Sequence, residues 1–189
     1  ILPNINATSP LCNGAMNGSA NSSPAGGTPG YTYFWSPGGQ TSSSINGLSI
    51  GNYALTVTDA QGCTSTDSIL INEPSPLTIL TTPNDALCSG TASGSAVATA
   101  TGGTANYTYS WSPSGGNAQT ANNLSAGSYT VTVTDNTACT ALSTFQITEP
   151  AALVLVPPSI TDVLCFGNNT GSITVIHTGG TGALNYVWN

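Results

Sequence analysis

Across 189 residues there is no lysine and no arginine, against seven acidic residues and one histidine, giving a formal net charge of −7. Nucleic-acid affinity comes mainly from cations that neutralise phosphates, and attraction to anionic lipid needs the same groups, so the composition excludes both partners, along with lysine-based covalent chemistry. Apolar burial, backbone hydrogen bonds and disulfides are left to hold the fold, and trypsin has no bond to cut: the chain is expected to survive trypsin even when unfolded, which a denaturing gel after digestion checks.

Hydrophobic residues make up 39% of the chain, with β-branched and aromatic residues in ordered patterns rather than the sparse apolar content of a disordered segment. No run approaches the roughly 18 apolar residues of a membrane-spanning helix. The longest candidate, Ala151 to Val156, stops at Pro157-Pro158. No leader is visible at the start, so export signals and anchors are expected outside this stretch.

In chain order, the first landmarks are Cys12, the triplet Gly26-Gly27-Thr28, the run Tyr31-x-Tyr33-x-Trp35-Ser-Pro, Leu48-Ser-x-Gly-x-Tyr53, Val57-Thr58-Asp59, Cys63 and Glu73-Pro74. Every one returns 76 positions later: Cys88, Gly102-Gly103-Thr104, Tyr107 to Trp111, Leu124 to Tyr129, Val133 to Asp135, Cys139 and Glu149-Pro150. A third series begins at Cys165, Gly179 and Trp188, offset by a further 77. Many independent landmarks sharing one offset mark an internal repeat. The spacing predicts a first repeat over 1–76, a second over 77–152 and the opening part of a third over 153–189. The third breaks off at Trp188-Asn189 where the others continue with Ser-Pro, so a window onto a longer array is expected.

Within the second repeat, strands are predicted at Ala96 to Ala100, Tyr107 to Trp111, Tyr129 to Thr134 and Phe145 to Thr148, each alternating with period two. Gly102-Gly103, Pro113 to Gly116, Gly127 and Asp135 punctuate them, and no segment carries a helical period. Short strands at regular turn spacing predict an antiparallel sandwich. Tyr53 and Tyr129, each two residues after a glycine at the head of a late strand, resemble the tyrosine corner of immunoglobulin-like sandwiches. The fold class is thus read as all-β: tandem Ig-like antiparallel β-sandwich repeats with one disulfide inside each. Trp35, Trp111, Trp188, Tyr53 and Tyr129 are expected in the cores.

Cys12 to Cys63 and Cys88 to Cys139 both span 51 positions. Pairing within each repeat, Cys12–Cys63 and Cys88–Cys139, lets each repeat close its own loop and leaves Cys165 to a partner beyond the sequence. A rival scheme joins Cys63–Cys88 and Cys139–Cys165, and free thiols are the third option.

Little here carries chemistry. His177 has Ala100 and Pro24 at its earlier positions and reads as an incidental strand residue, so no catalytic triad, zinc set or carboxylate pair can be assembled, and no enzyme is expected. Asp59 and Asp135 are expected to cap turns with their side chains. Glu73, Asp85, Glu149 and Asp162 recur near the repeat boundary and are the candidates for a Ca²⁺ site, although two carboxylates per boundary are few; no other cofactor is expected. The aromatic strands read as core first and as a sugar-stacking platform second. The Asn-x-Ser/Thr sequons, such as Asn106 and Asn123, arise by chance in so Asn- and Thr-rich a chain.

The set Cys88, Gly102, Tyr107, Trp111, Tyr129, Asp135, Cys139 and Glu149-Pro150, with its first-repeat counterparts, resembles the SprB-type repeat. Phe34 and Gly38-Gly39 are where the first repeat departs. The resemblance implies very large surface proteins of Bacteroidota exported by the type IX system, among them the gliding-motility adhesin. It therefore implies an extracellular location and a structural or adhesive role as an extended spacer, with neighbouring repeats as partners and surface polysaccharide or other filament subunits beyond them. The alternative is an array of carbohydrate-binding modules using exposed aromatics.

Overall fold

The computed structural model describes residues 1–188. Among them there is no helix, and fourteen strands follow one another. In the first repeat these are β1 (Ile5–Thr8), β2 (Gly18–Ser22), β3 (Thr32–Ser36), β4 (Ser44–Leu48), β5 (Gly51–Thr58) and β6 (Thr64–Ile71). The second repeat reproduces them as β7 (Thr78–Asn84), β8 (Gly94–Thr101), β9 (Thr108–Ser112), β10 (Thr120–Leu124), β11 (Gly127–Thr134) and β12 (Thr140–Ile147). A hairpin, β13 (Val154–Thr161) with β14 (Ser172–Thr178), repeats β7 and β8.

Six strands make two three-stranded antiparallel sheets, ordered β1-β2-β4 and β3-β5-β6, and then β7-β8-β10 and β9-β11-β12. These are the orders A-B-E and C-F-G of an immunoglobulin-type sandwich. The register of the C-F-G sheet is continuous, from Thr32↔Thr58 to Ser36↔Ala54 and from Gly51↔Ile71 to Thr58↔Thr64. Strict alternation along β5 buries Tyr53, Leu55 and Val57. They meet Trp35 of β3, Ile71 of β6, and Ala20, Ile45 and Leu48 from the opposite sheet, in one core. Ala96, Trp111, Ala121, Leu124, Tyr129, Val131, Val133 and Ile147 are buried at the corresponding positions of the second repeat.

The tyrosine corner forms in both: Tyr53 Oη donates to Ser49 O at 3.3 Å and Tyr129 Oη to Ser125 O at 3.0 Å. The buried indoles are also satisfied, Trp35 Nε1–H on Ser42 O at 2.9 Å and Trp111 Nε1–H on Ala118 O at 2.8 Å. Trp188 departs from its expected core place and is 62% exposed. Trp35, by contrast, lies on β3, which pairs with β5.

Two compact units form. One contains Ile1–Thr78 together with Ala100–Tyr107 and Thr134–Ala141; the other contains Ile79–Thr99, Thr108–Val133 and the chain from Leu142 onward. The first unit thus gathers the whole first repeat and two loops of the second.

Candidate functional site

Among the described residues one disulfide forms, joining Cys12 to Cys139 with 5.7 Å between their Cα atoms, and both lie in the first unit. Cys63, Cys88 and Cys165 are exposed thiols. This corrects the expected pairs Cys12–Cys63 and Cys88–Cys139, and the rival Cys63–Cys88 and Cys139–Cys165 do not form either. The reason lies in β6. Cys63 immediately precedes that strand, whereas the Cys12 turn is held by Glu73, just beyond its far end. Seven steps of about 3.3 Å separate the two ends by roughly 23 Å, and a disulfide needs Cα atoms within about 7 Å. In a sandwich of this topology the A–B and F–G loops lie at opposite ends, so the two cysteines of one repeat cannot meet.

Each half of the bridge is a shaped turn. On the Cys12 side, Ala15 N–H donates to Cys12 O at 3.1 Å and Gly14 adopts φ +73°, in the left-handed region that glycine tolerates. Glu73 clamps the turn, one carboxylate oxygen accepting from Gly14 N at 2.8 Å and the other from Asn13 Nδ2 at 2.9 Å. The Glu-Pro landmark is therefore a fastening for the cysteine turn. Glu149 does the same for the second turn, accepting from Gly90 N at 2.8 Å.

On the Cys139 side, Asp135 organises the loop. Its Oδ1 accepts from Thr137 N at 2.8 Å and Cys139 N at 2.9 Å, and its Oδ2 from Thr104 N at 2.8 Å. Asp59 repeats the pattern with Gln61 N, Cys63 N and Thr28 N. This joins two sequence landmarks: the Gly-Gly-Thr triplet offers its threonine amide to the aspartate that ends Val-Thr-Asp. Room for the carboxylate exists because the second residue of the triplet has no side chain; a Cβ at Gly103 would stand 2.6 Å from Asp135 Oδ2. The Asp135 loop then meets Leu11, whose carbonyl lies 3.4 Å from both Thr137 Oγ1 and Cys139 Sγ.

The Thr28 amide, with those of Cys63 and Gln61, holds the Asp59 carboxyl below its usual range against the opposing effect of burial. The Thr104 amide leads the same effect at Asp135, and the Thr148 amide at Asp85. A depressed folded-state value means these bonds contribute fully above the ordinary carboxylate pKa near about 3.9 and are lost as pH falls through the folded value. The melting temperature is therefore expected to hold above about pH 4 and fall below it, and Asp59→Asn with Asp135→Asn should flatten that fall in a calorimetric pH series.

Three of the four Ca²⁺ candidates accept hydrogen bonds. Glu73 and Glu149 fasten turns, and Asp85 accepts from Thr148 N at 2.7 Å. Asp162 is exposed. No group of three or more Asp, Glu, His or Cys fit to hold a metal occurs among the described residues. His177 Nδ1 pairs with the Tyr186 hydroxyl at 2.8 Å on an exposed surface. Trp35 and Trp111 face inward, which leaves Phe34, 53% exposed, as the outward aromatic of that strand in the first repeat.

A family model described as the SprB repeat matches residues 4–40, 80–116 and 158–189, more than half of the chain. No curated protein matches it. Among solved structures, the amphioxus IgVJ-C2 molecule is similar at 16% identity over 78% of this chain and 97% of that one, with a TM-score of 0.32. A likeness of that size carries no argument, and the sandwich stands on its strand order and tyrosine corners.

Proposed function

Because the chain belongs to the SprB repeat family, we propose that it is a structural and adhesive segment of a large secreted surface protein, its repeats acting as a covalently reinforced spacer outside the cell. The observation that carries this reading is the Cys12–Cys139 bridge. Cystines persist in oxidising compartments and are rare where glutathione keeps thiols reduced. A bond that spans 127 positions, and links the A–B loop of one repeat to the F–G loop of the next, resists separation of the two when the ends are pulled. The absence of lysine and arginine suits exposure to trypsin-like proteases. Inward-facing Trp35 and Trp111 argue against the sugar-platform reading.

The test is antibody labelling of intact cells that make the protein, paired with removal of the repeats. Labelling without permeabilisation and weakened attachment or gliding are expected. Labelling only after permeabilisation would overturn the location, and unchanged attachment and movement would overturn the adhesive role.

A further inference from the structure

Cys88 and Cys63 sit in turns that repeat the main backbone and carboxylate hydrogen bonds of the two halves of the bridge already made. On the Cys88 side, Thr91 N donates to Cys88 O at 3.3 Å as Ala15 N does to Cys12 O, and Gly90 has φ +72° beside +73° at Gly14. Glu149 holds Gly90 N at 2.8 Å, the distance Glu73 keeps to Gly14 N. The residue before each cysteine is tied six positions on: Leu11 N to Asn17 Oδ1 at 3.4 Å, Leu87 N to Ser93 Oγ at 2.9 Å, and Leu164 N, before Cys165, to Thr170 Oγ1 at 3.1 Å. The Cys88 turn borders a cleft of about 450 Å³ that includes Leu87, Ser89, Pro150, Ala152 and Leu153. The cleft at the formed bridge has the corresponding Asn13, Pro76 and Leu77 beside Cys12, and there Ala138, Cys139 and Thr140 complete its wall. On the other side, Cys63 N donates to Asp59 Oδ1 at 2.9 Å as Cys139 N does to Asp135 Oδ1, and Asp59 N donates to Cys63 O at the same 2.9 Å as Asp135 N to Cys139 O.

We infer that Cys88 is an outgoing half-site and Cys63 an incoming one, each made to bond a cysteine of an adjoining repeat, so that the array is tied by a running series of cystines from the first cysteine of each repeat to the second cysteine of the next. The occupant of the Cys88 cleft is an Asp-x-x-x-Cys turn of the kind formed by Asp135 to Cys139. Bond formation takes two protons and two electrons from the thiol pair. A low-molecular-weight disulfide of the glutathione class accepts them and becomes two thiols. The inference stands on the cysteine turns and holds whatever the surface protein attaches to, so its failure and that of the adhesive reading are separate results.

The experiment joins two copies of residues 1–152 head to tail, which keeps the repeats in phase because Leu153 occupies the position of Ile1 and Leu77. The product has eight cysteines and is folded in a mixture of oxidised and reduced glutathione. Non-reducing digestion with chymotrypsin and a glutamyl protease then maps the pairs. The expected result is Cys12–Cys139 in each copy, Cys88 of the first copy bonded to Cys63 of the second, and two free thiols. Four free thiols, with both Cys12–Cys139 bridges present to report correct folding, would overturn the inference. So would a Cys88–Cys139 pair. If the tandem chain fails to form Cys12–Cys139, the same map is made on protein taken from the cell surface. Cys88 joined there to a following repeat upholds the series, and an alkylatable Cys88 ends it.

Discussion

Replacing both Cys12 and Cys139 by serine is expected to cost roughly 3–5 kcal/mol of unfolding free energy, the largest loss of any cysteine substitution in the chain. The bridge closes a span of 127 positions, and the loop-entropy relation gives about 5 kcal/mol for a loop of that length, a ceiling from which native strain and residual unfolded structure subtract. Cys63, Cys88 and Cys165 are unbonded and exposed in this chain, so their serine variants are expected within about 0.5 kcal/mol of the parent. Urea unfolding monitored by tryptophan fluorescence measures both. Reductant should shift the parent midpoint as far as the double substitution does and leave the double variant unmoved. An equal loss from Cys63→Ser would restore pairing inside the repeat and contradict the structure.

A second effect concerns access to Cys88. Glu149 fixes the Cys88 turn through Gly90 N. Glu149→Ala is expected to loosen that turn and raise the alkylation rate of Cys88 severalfold relative to Cys63, read by mass spectrometry of iodoacetamide-labelled peptides.

Most of the fold was legible because the period-two pattern and the 76-residue offset act through local rules. Alternation along Tyr129 to Thr134 places Val131 and Val133 inside whatever the neighbours are, and the Gly-x-Tyr landmark encodes its own hydrogen bond four residues back. The disulfide was not legible for a physical reason. An equal spacing of 51 is as true of partners as of two cysteines at opposite ends of a sandwich, and the pair that bonds differs from that spacing by one whole repeat. Eight strand residues stand between Cys63 and Glu73, too long for a staple, but that length separates the cases only once the structure shows Glu73 holding the Cys12 turn. The roles of Glu73 and Glu149 depended on contacts about 60 positions distant, which no local pattern reports. Asp59 and Asp135 cap their turns as a strand-ending Val-Thr-Asp implies, but their third bond reaches the Gly-Gly-Thr amide 31 positions away and joins two motifs that are separate in the sequence.

Trp111→Ala is expected to lower stability by about 3–5 kcal/mol, the usual range for emptying a large aromatic from a core. The indole is 6% exposed, and its Nε1–H satisfies Ala118 O. Its edge meets Phe145 at 5.8 Å and 87°, and Phe145 in turn stacks on Tyr129 at 5.8 Å and 19°. Truncation therefore opens a cavity, strands a carbonyl and removes the edge-to-face contact together. Trp35→Ala should cost a similar amount, since Trp35 is wholly buried and makes the same bond to Ser42 O. Phe34→Ala, on the outward face of the same strand, should change stability by no more than about 0.5 kcal/mol. The set also decides between the two functional readings. A sugar platform built on the tryptophans requires Trp111→Ala to keep its unfolding midpoint while glycan binding disappears. A core tryptophan requires the midpoint to fall, and any loss of binding to follow the unfolded fraction.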